Sequence, residues 1–425
     1  MNVIQADLLL TYITQLVTCV SPDGPRRGAA LEDIGLIEDG AVAVRNGHIV
    51  AVGQTAELTS NVKARQTLDM SGHAICPGFV DPHTHIVFGG DRVHEFEMRI
   101  RGASYMQIMA AGGGIVSTMH HTRAASEVEL VAAAQQRLDE MLRLGTTAVE
   151  IKTGYGLDTA TELKMLRVIE QLDLSHTCTL IPTFLGAHTL PPEYKNDSEG
   201  YVSLVIEEMI PAVAAWYNQS HFSRQNVPLF IDVFCEDHAF DVAQSQRILA
   251  AGQAAAMGVK IHVDQFNTLG GTEMAVTLGA ITADHLDVTD EAGIQALAQS
   301  DTISVLLPAA NFNLGHNHFA NGRGLIDAGA ALALATDLNP GSAPCYSMPL
   351  VMAIACRYLR LLPAEALLAS TVNAAYALNM ADRFGSIAVG QQADLLVLKR
   401  ADYRHVTYFF GHNPVARVMV KGEWV

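Results

Sequence analysis

Between Phe79 and Asp337 the chain alternates short apolar, β-branched segments with longer amphipathic ones. The short segments are Phe79–Asp81, Thr146–Ile151, Thr179–Thr183, Leu229–Val233, Val259–Val263, Ala280–Ala283, Thr302–Leu306 and Ala331–Ala335. Continuous apolar runs of that length suit strands covered on both faces, as in a parallel sheet. Ser126–Leu144 instead repeats Val128, Val131, Leu138, Met141 and Leu142 near the helical period, with charges between them. Thr161–Leu172, Tyr201–Trp216, Val242–Met257 and Met348–Leu361 read as helices in the same way. Eight strands alternating with helices predict an α/β fold, a closed (β/α)8 TIM-like barrel.

The flanks follow a different period. Gly40–Val44, His48–Val52, Asp394–Leu398 and Arg417–Val420 alternate as strands do, and Asn46-Gly47 is a hairpin-turn signal. These pieces predict a small β-sandwich built from both chain ends, residues 1–75 and 385–425, with the barrel over 76–384 inserted between them.

Composition narrows the function classes. With 49% hydrophobic and 17% charged residues, the 425-residue chain is globular and long enough for a large core. A net charge of -17 and the lack of a Lys/Arg cluster argue against nucleic acid. That balance leaves room for a small anionic substrate, because a single arginine can bind a carboxylate locally. No apolar stretch is long enough for a membrane span, and no basic leader precedes a cleavage site, so a cytoplasmic protein is expected. The six cysteines contain no CxxC and read as reduced packing residues.

Active sites of such barrels lie at the C-terminal ends of the strands, so the residues ending each segment are the ones to inspect. Strand one runs into His83 and His85, which the strand period places on the same side. Strand five carries His262, strand six ends in Asp284-His285, and strand eight ends in Asp337. Taken singly, a histidine such as His262 is more often a packing residue than a ligand, and Asp337 could cap a turn. Convergence on one rim changes that balance, because ionisable groups buried together without a metal or partner are costly. Three imidazoles and a carboxylate suit a mononuclear divalent ion with a position left for water, hence hydrolysis near neutral pH, with Asp337 and His285 as base and acid. His48, His73, His94, His176, His221, His405 and His412 fall in loops or flanks and read as surface residues.

The segments PGFVDPHTH, FGGDR, GASY with AGGGI, EIKTGYGL, FLGAH, DVFCE, VDQFNTLGG, TADHL, ATDLNPGSAP and TVNAAYALN occur in order over nearly the whole chain. Together they resemble the amidohydrolase superfamily, whose mononuclear members carry HxH on strand one, His on strand five and Asp on strand eight. The match is closest to its histidine-degradation branch, which opens 4-imidazolone-5-propanoate to N-formimidoyl-L-glutamate. The resemblance implies one zinc or iron ion on His83, His85, His262 and Asp337, with His285 as catalytic partner. Water activated at such a site would attack the ring carbonyl carbon, with Asp337 and His285 shuttling the proton. It also implies substrate contacts at Arg92, Tyr155, His188, Gln265, Asn339, Gly341 and Ser342, and a homodimer.

In this reading Arg92, seven residues past His85, is the fork for the propanoate carboxylate. Tyr155, between two glycines, could present a phenol to a ligand or pack as a turn residue on the barrel, and Asn339–Ser342, by itself a turn signal, would offer an amide and backbone donors just beyond Asp337. Three features depart from the family pattern. Gln265 stands where some members have Glu and cannot act as a base, which leaves that role to Asp337 and His285. The segment Ala309–Phe319, with Asn311, Asn313, His316 and His318, differs after strand seven, and His120-His121 stand where an arginine-containing sequence is expected. The alternatives are deamination of a cyclic aminated base at the same metal site, or a barrel kept as a non-catalytic scaffold.

Overall fold

The computed structural model describes residues 3–103, 107–108 and 112–425; Ser104 and Tyr105 of GASY and Ala111 of AGGGI lie outside them. Eight parallel strands, Phe79–Asp81, Thr146–Lys152, Thr179–Ala187, Phe230–Cys235, Gly258–Val263, Thr282–His285, Ile303–Leu306 and Leu332–Leu334, are hydrogen-bonded in chain order. Beyond the ladder, strands one and eight meet at their C-terminal ends. The Asp337 amide donates to the His83 carbonyl at 3.1 Å, and the His85 amide donates to the Leu338 carbonyl at 2.9 Å. Thr336 adds its amide and hydroxyl to the Asp81 carboxylate, at 3.1 and 2.6 Å. Strand and helix interiors share one large apolar core.

Strand six begins later than its apolar pattern suggests. Ala280 is taken up by the preceding helix Gly271–Leu278, where its amide donates to the Ala275 carbonyl and closes the turn at Gly279, φ 74°. The helix expected over Ser126–Leu144 spans Glu127–Arg143 and starts with a capping box between Ser126 and Glu129. The helical run from Ser198 to Gln219 contains a π turn, Val205–Met209, just before Pro211. Proline has no amide to continue the ladder, which accounts for the irregularity.

The second sheet is built from both chain ends. It joins Ile4–Val17, Leu36–Arg45, His48–Gln54, Val62–Asp69 and Ala74–Pro77 to Leu395–Leu398, Val415–Val420 and Glu423–Trp424. The long first strand was not evident from alternation alone. Its first part pairs in parallel with Val62–Asp69, and its last part pairs with Ala74–Pro77. Between them the register shifts at Tyr12, where φ is 56°. Alternation along Leu395–Leu398 divides two cores: Leu395 and Val397 pack inside the sheet domain, whereas Leu396 and Leu398 join the barrel core.

One buried carboxylate in this sheet carries a pH signature. Asp394 accepts the Lys421 amide at 2.7 Å, and burial pushes its carboxyl up to about 6. The folded chain therefore holds a proton there that the unfolded chain gives up, so stability is lost as pH rises from the usual carboxylate range through about 6. The shift corresponds to at most ~3 kcal/mol. Asp394→Asn removes the titration, so its melting temperature relative to the parent should be higher at pH 7 than at pH 4. An equal difference at both pH values would disprove this account.

Candidate metal centre and active-site cavity

His83 and His85 lie just past the first strand, His262 is in the fifth, and Asp337 follows the eighth; all four are buried. Their donor atoms converge. His85 Nε2 lies 3.3 Å from His83 Nε2 and 3.4 Å from His262 Nε2, while Asp337 Oδ1 is 3.6 Å from both His83 and His85. Ligands on a tetrahedral zinc, each about 2.0–2.1 Å from the ion, are separated by about 3.3–3.4 Å. The three imidazoles therefore lie at the spacing of ligands on one small cation, and His83, His285 and Asp337 form a second close group beside them.

Protonation agrees with that fit. Burial holds His83 and His85 well below the usual imidazole range and lowers His262 to about 4, so all three are neutral near pH 7. His83 Nδ1 is 2.6 Å from Asp284 Oδ2, and His262 Nδ1 is 3.0 Å from Asp232 Oδ2. A carboxylate only accepts, so the Asp284 contact places the His83 proton on Nδ1 and leaves its Nε2 lone pair facing His85 Nε2.

The two carboxylates share a fully buried lysine from the second strand. Lys152 Nζ lies 2.7 Å from Asp232, 3.6 Å from Asp284 and 3.1 Å from Glu150. Burial alone would lower its pKa, but Asp232, Glu150 and Asp284 together raise it. Burial likewise works against ionised Asp232, and His262 and Lys152 outweigh it to hold that carboxyl well below the usual range. Lys260 reaches Glu150 at 3.0 Å and the Pro82 carbonyl at 3.1 Å, and Thr183 donates its hydroxyl to Glu150. A charged layer thus fills the barrel directly under the donor set.

Above it opens a cavity of about 640 Å³ lined by His85, His262, His285 and Asp337 together with Arg92, Tyr155, His188, Gln265, Asn339, Gly341 and Ser342. Every substrate contact expected from the sequence lines this one space. The comparisons point the same way. Residues 74–425 match the amidohydrolase family, and residues 40–60 match the imidazolonepropionase-like composite domain of bacteria. Imidazolonepropionases from Chloroflexus aggregans and Herpetosiphon aurantiacus are each 54% identical to the chain, covering 99% of it and 98% and 97% of themselves. The chain belongs to the amidohydrolase family, in its imidazolonepropionase branch. Among solved amidohydrolase-fold structures, an adenosine deaminase from Xanthomonas campestris with bound zinc superposes with a TM-score of 0.70 at 22% identity, covering 99% of this chain and 93% of that one. The guanine deaminase of E. coli gives 0.70 at 15%, covering 98% of each. At such identities the likeness concerns the fold.

Several cavity residues of this family member have their orientation set locally. The His188 ring stacks on His85 with centroids 5.1 Å apart, and its Nδ1 lies 3.0 Å from the Gly154 carbonyl, which leaves Nε2 as an acceptor. Gly154 has φ 100°, and a Cβ there would stand 2.8 Å from the Leu185 carbonyl and 2.9 Å from His188 Nδ1, so the turn beside Tyr155 requires glycine. His285 and Asp337 both have left-handed backbones, φ 81° and 55°, a conformation that needs the surrounding structure to enforce it. Burial would lower the His285 pKa, but the carboxylates of Asp287, Asp337 and Asp284 outweigh it and hold the imidazole above its usual value. Burial pushes Asp337 up to about 6.

Other sequence expectations need correction. The backbone donors anticipated at Asn339–Ser342 are spent inside the turn: Asn339 Oδ1 accepts the Gly341 and Ser342 amides, both at 2.8 Å. Asn339 Nδ2 donates to the Asp337 carbonyl and to Ser342 Oγ. Its amide therefore shapes the turn behind Asp337. His221 is buried, between Glu170 at 3.2 Å and Asp173 at 2.7 Å, and is not a surface residue. His120 and His121 are exposed and do not line the cavity. The divergent segment after strand seven forms the helix Pro308–Leu314. Its Asn311 holds Asp287 at 2.8 Å, Asn313 donates to the Ser342 carbonyl at 2.7 Å, and Leu314 and His316 face the cavity.

Proposed function

We propose that this enzyme hydrolyses 4-imidazolone-5-propanoate to N-formimidoyl-L-glutamate, a step of histidine degradation, with His83, His85, His262 and Asp337 as metal ligands. The observation that carries the reading is 54% identity to imidazolonepropionases over essentially the full length of both chains. A zinc or iron ion held by those four residues supplies polarisation of the ring carbonyl and acidification of the attacking water. Asp337 takes a proton from the water as its oxygen adds to the carbonyl carbon. The ring C–N bond then breaks, and the departing nitrogen receives a proton from Asp337 or from the neighbouring His285. His188 Nε2 is suited to accept a ring N–H, and Arg92 to hold the propanoate. Gln265 is neutral, so it can orient the ring but cannot move its protons.

In this reading residues 76–384 form the catalytic unit, and residues 1–75 with 385–425 form the small β-domain. The family resemblance supports a cytoplasmic homodimer that engages neither nucleic acid nor membrane. Among the described residues no helix is long and apolar enough to cross a membrane. Light scattering tests the oligomeric state, and elemental analysis of protein purified without added metal separates zinc from iron.

The function itself is tested by supplying imidazolone propanoate and following loss of its ultraviolet absorption, with the product identified by mass. Ammonia release from an aminated ring, with no turnover of the imidazolone, would favour a deaminase instead. Arg92→Ala should raise KM by about tenfold or more with a smaller change in kcat, as expected when carboxylate binding is lost equally from ground and transition states. An unchanged KM would place the propanoate elsewhere.

A further inference from the structure

The cavity contains a second guanidinium that the reading above leaves without a role. Arg92, Glu95 and Arg99 are spaced i, i+3 and i+7 at and along the helix Val93–Ile100, so they share one face, and all three line the cavity. Both arginines reach the same glycine across the space. Arg99 Nη2 donates to the Gly341 carbonyl at 3.1 Å, and a Cβ on Gly341 would collide with Arg92 Nη1. Arg92 is further fixed by its Nε bond to Thr118 Oγ1 at 2.8 Å.

Glu95 lies between them in sequence and is only 8% exposed. Its Oε1 accepts the Gly114 amide at 2.8 Å and lies 4.0 Å from Arg92 Nε. Two guanidinium groups and one carboxylate leave a single net positive charge in a partly desolvated pocket. Arg99 itself is disfavoured as a cation chiefly by burial, with Glu95 opposing that and Arg92 adding to it. A second anion on this wall relieves the repulsion between the two arginines.

Accepting that the propanoate points toward Arg92, we propose that Arg99 is a second carboxylate-binding residue and that Glu95 sets the subsite's charge at plus one. The subsite then selects ligands bearing one carboxylate on this arm. A neutral arm leaves a positive charge uncompensated, and a doubly charged arm brings one negative charge too many. The spacing Arg-x2-Glu-x3-Arg is the sequence trace of this arrangement.

The test compares kcat/KM for imidazolone propanoate with that for its side-chain primary amide, which keeps the ring and removes the charge. Arg99→Ala should lower the acid-over-amide preference by about tenfold or more, mainly through KM, and Arg99→Lys should recover part of it. Equal losses on acid and amide would show that Arg99 merely braces Gly341 and would overturn the proposal. Glu95→Gln should strengthen inhibition by glutarate relative to butanoate by about tenfold, and an unchanged ratio would refute the charge assignment. Arg92→Ala separates this proposal from the reading beneath it. If that variant also keeps the full acid preference, the carboxylate lies elsewhere and both fall; if Arg92→Ala loses the preference and Arg99→Ala does not, only the present proposal falls.

Discussion

Lys152→Met is expected to lower stability by about 3–5 kcal/mol, the range seen when one partner of a buried ion pair is removed. The lysine is fully buried with Glu150, Asp232 and Asp284 within 3.6 Å, and methionine of similar length would remove the cation that Asp232 and Asp284 share, leaving only Lys260 on Glu150. Some of that cost would be relieved by protonation, which changes what the carboxylates can do. Protonated Asp284 would no longer hold a proton on His83 Nδ1, so the variant should also bind metal more weakly. Urea unfolding and metal titration measure the two effects separately. A native midpoint would show that Lys152 does not offset the buried carboxylates. A lowered midpoint with unchanged metal affinity would mean that Lys152 supports the barrel without orienting its ligands.

The second large effect is expected at His262. Its imidazole provides one of the converging donors, with Nε2 3.4 Å from His85 Nε2. His262→Ala should abolish turnover and strip most of the bound metal. The fold should survive, because Lys152 still compensates Asp232 at 2.7 Å and the strand keeps its backbone ladder to both neighbours. Far-UV circular dichroism close to the parent's, with metal content near zero, is the expected pair of results. Full activity in this variant would sink the ligand assignment, and loss of folded signal would show that the barrel itself depends on this side chain.

Much of this site could be read from the sequence because barrel strands deliver side chains to one rim, and the residues ending each apolar segment are few. His83, His85, His262, His285 and Asp337 were found that way. The layer beneath them was not, and its chemistry explains why. Lys152 and Asp284 stand just past apolar segments and Asp232 inside one, and a lone charge so placed says nothing about a partner 80 or more residues away. Asn339 misled for a local reason: NPGS signals a turn, but the letters do not show that the turn consumes its own donors. The long first strand was hidden because its pattern changes face at Tyr12, so no single period runs through Ile4–Val17.

Strands one and eight meet through residues adjacent to the ligands, and Asp81 and Thr336 at that junction are 255 positions apart. Two donors, His83 and His85, belong to one edge of the junction, and Asp337 belongs to the other. A chain folding from its N-terminus therefore cannot assemble the donor set until the barrel's first and last strands have met. Ion binding by the complete donor set during refolding should therefore wait for ring closure.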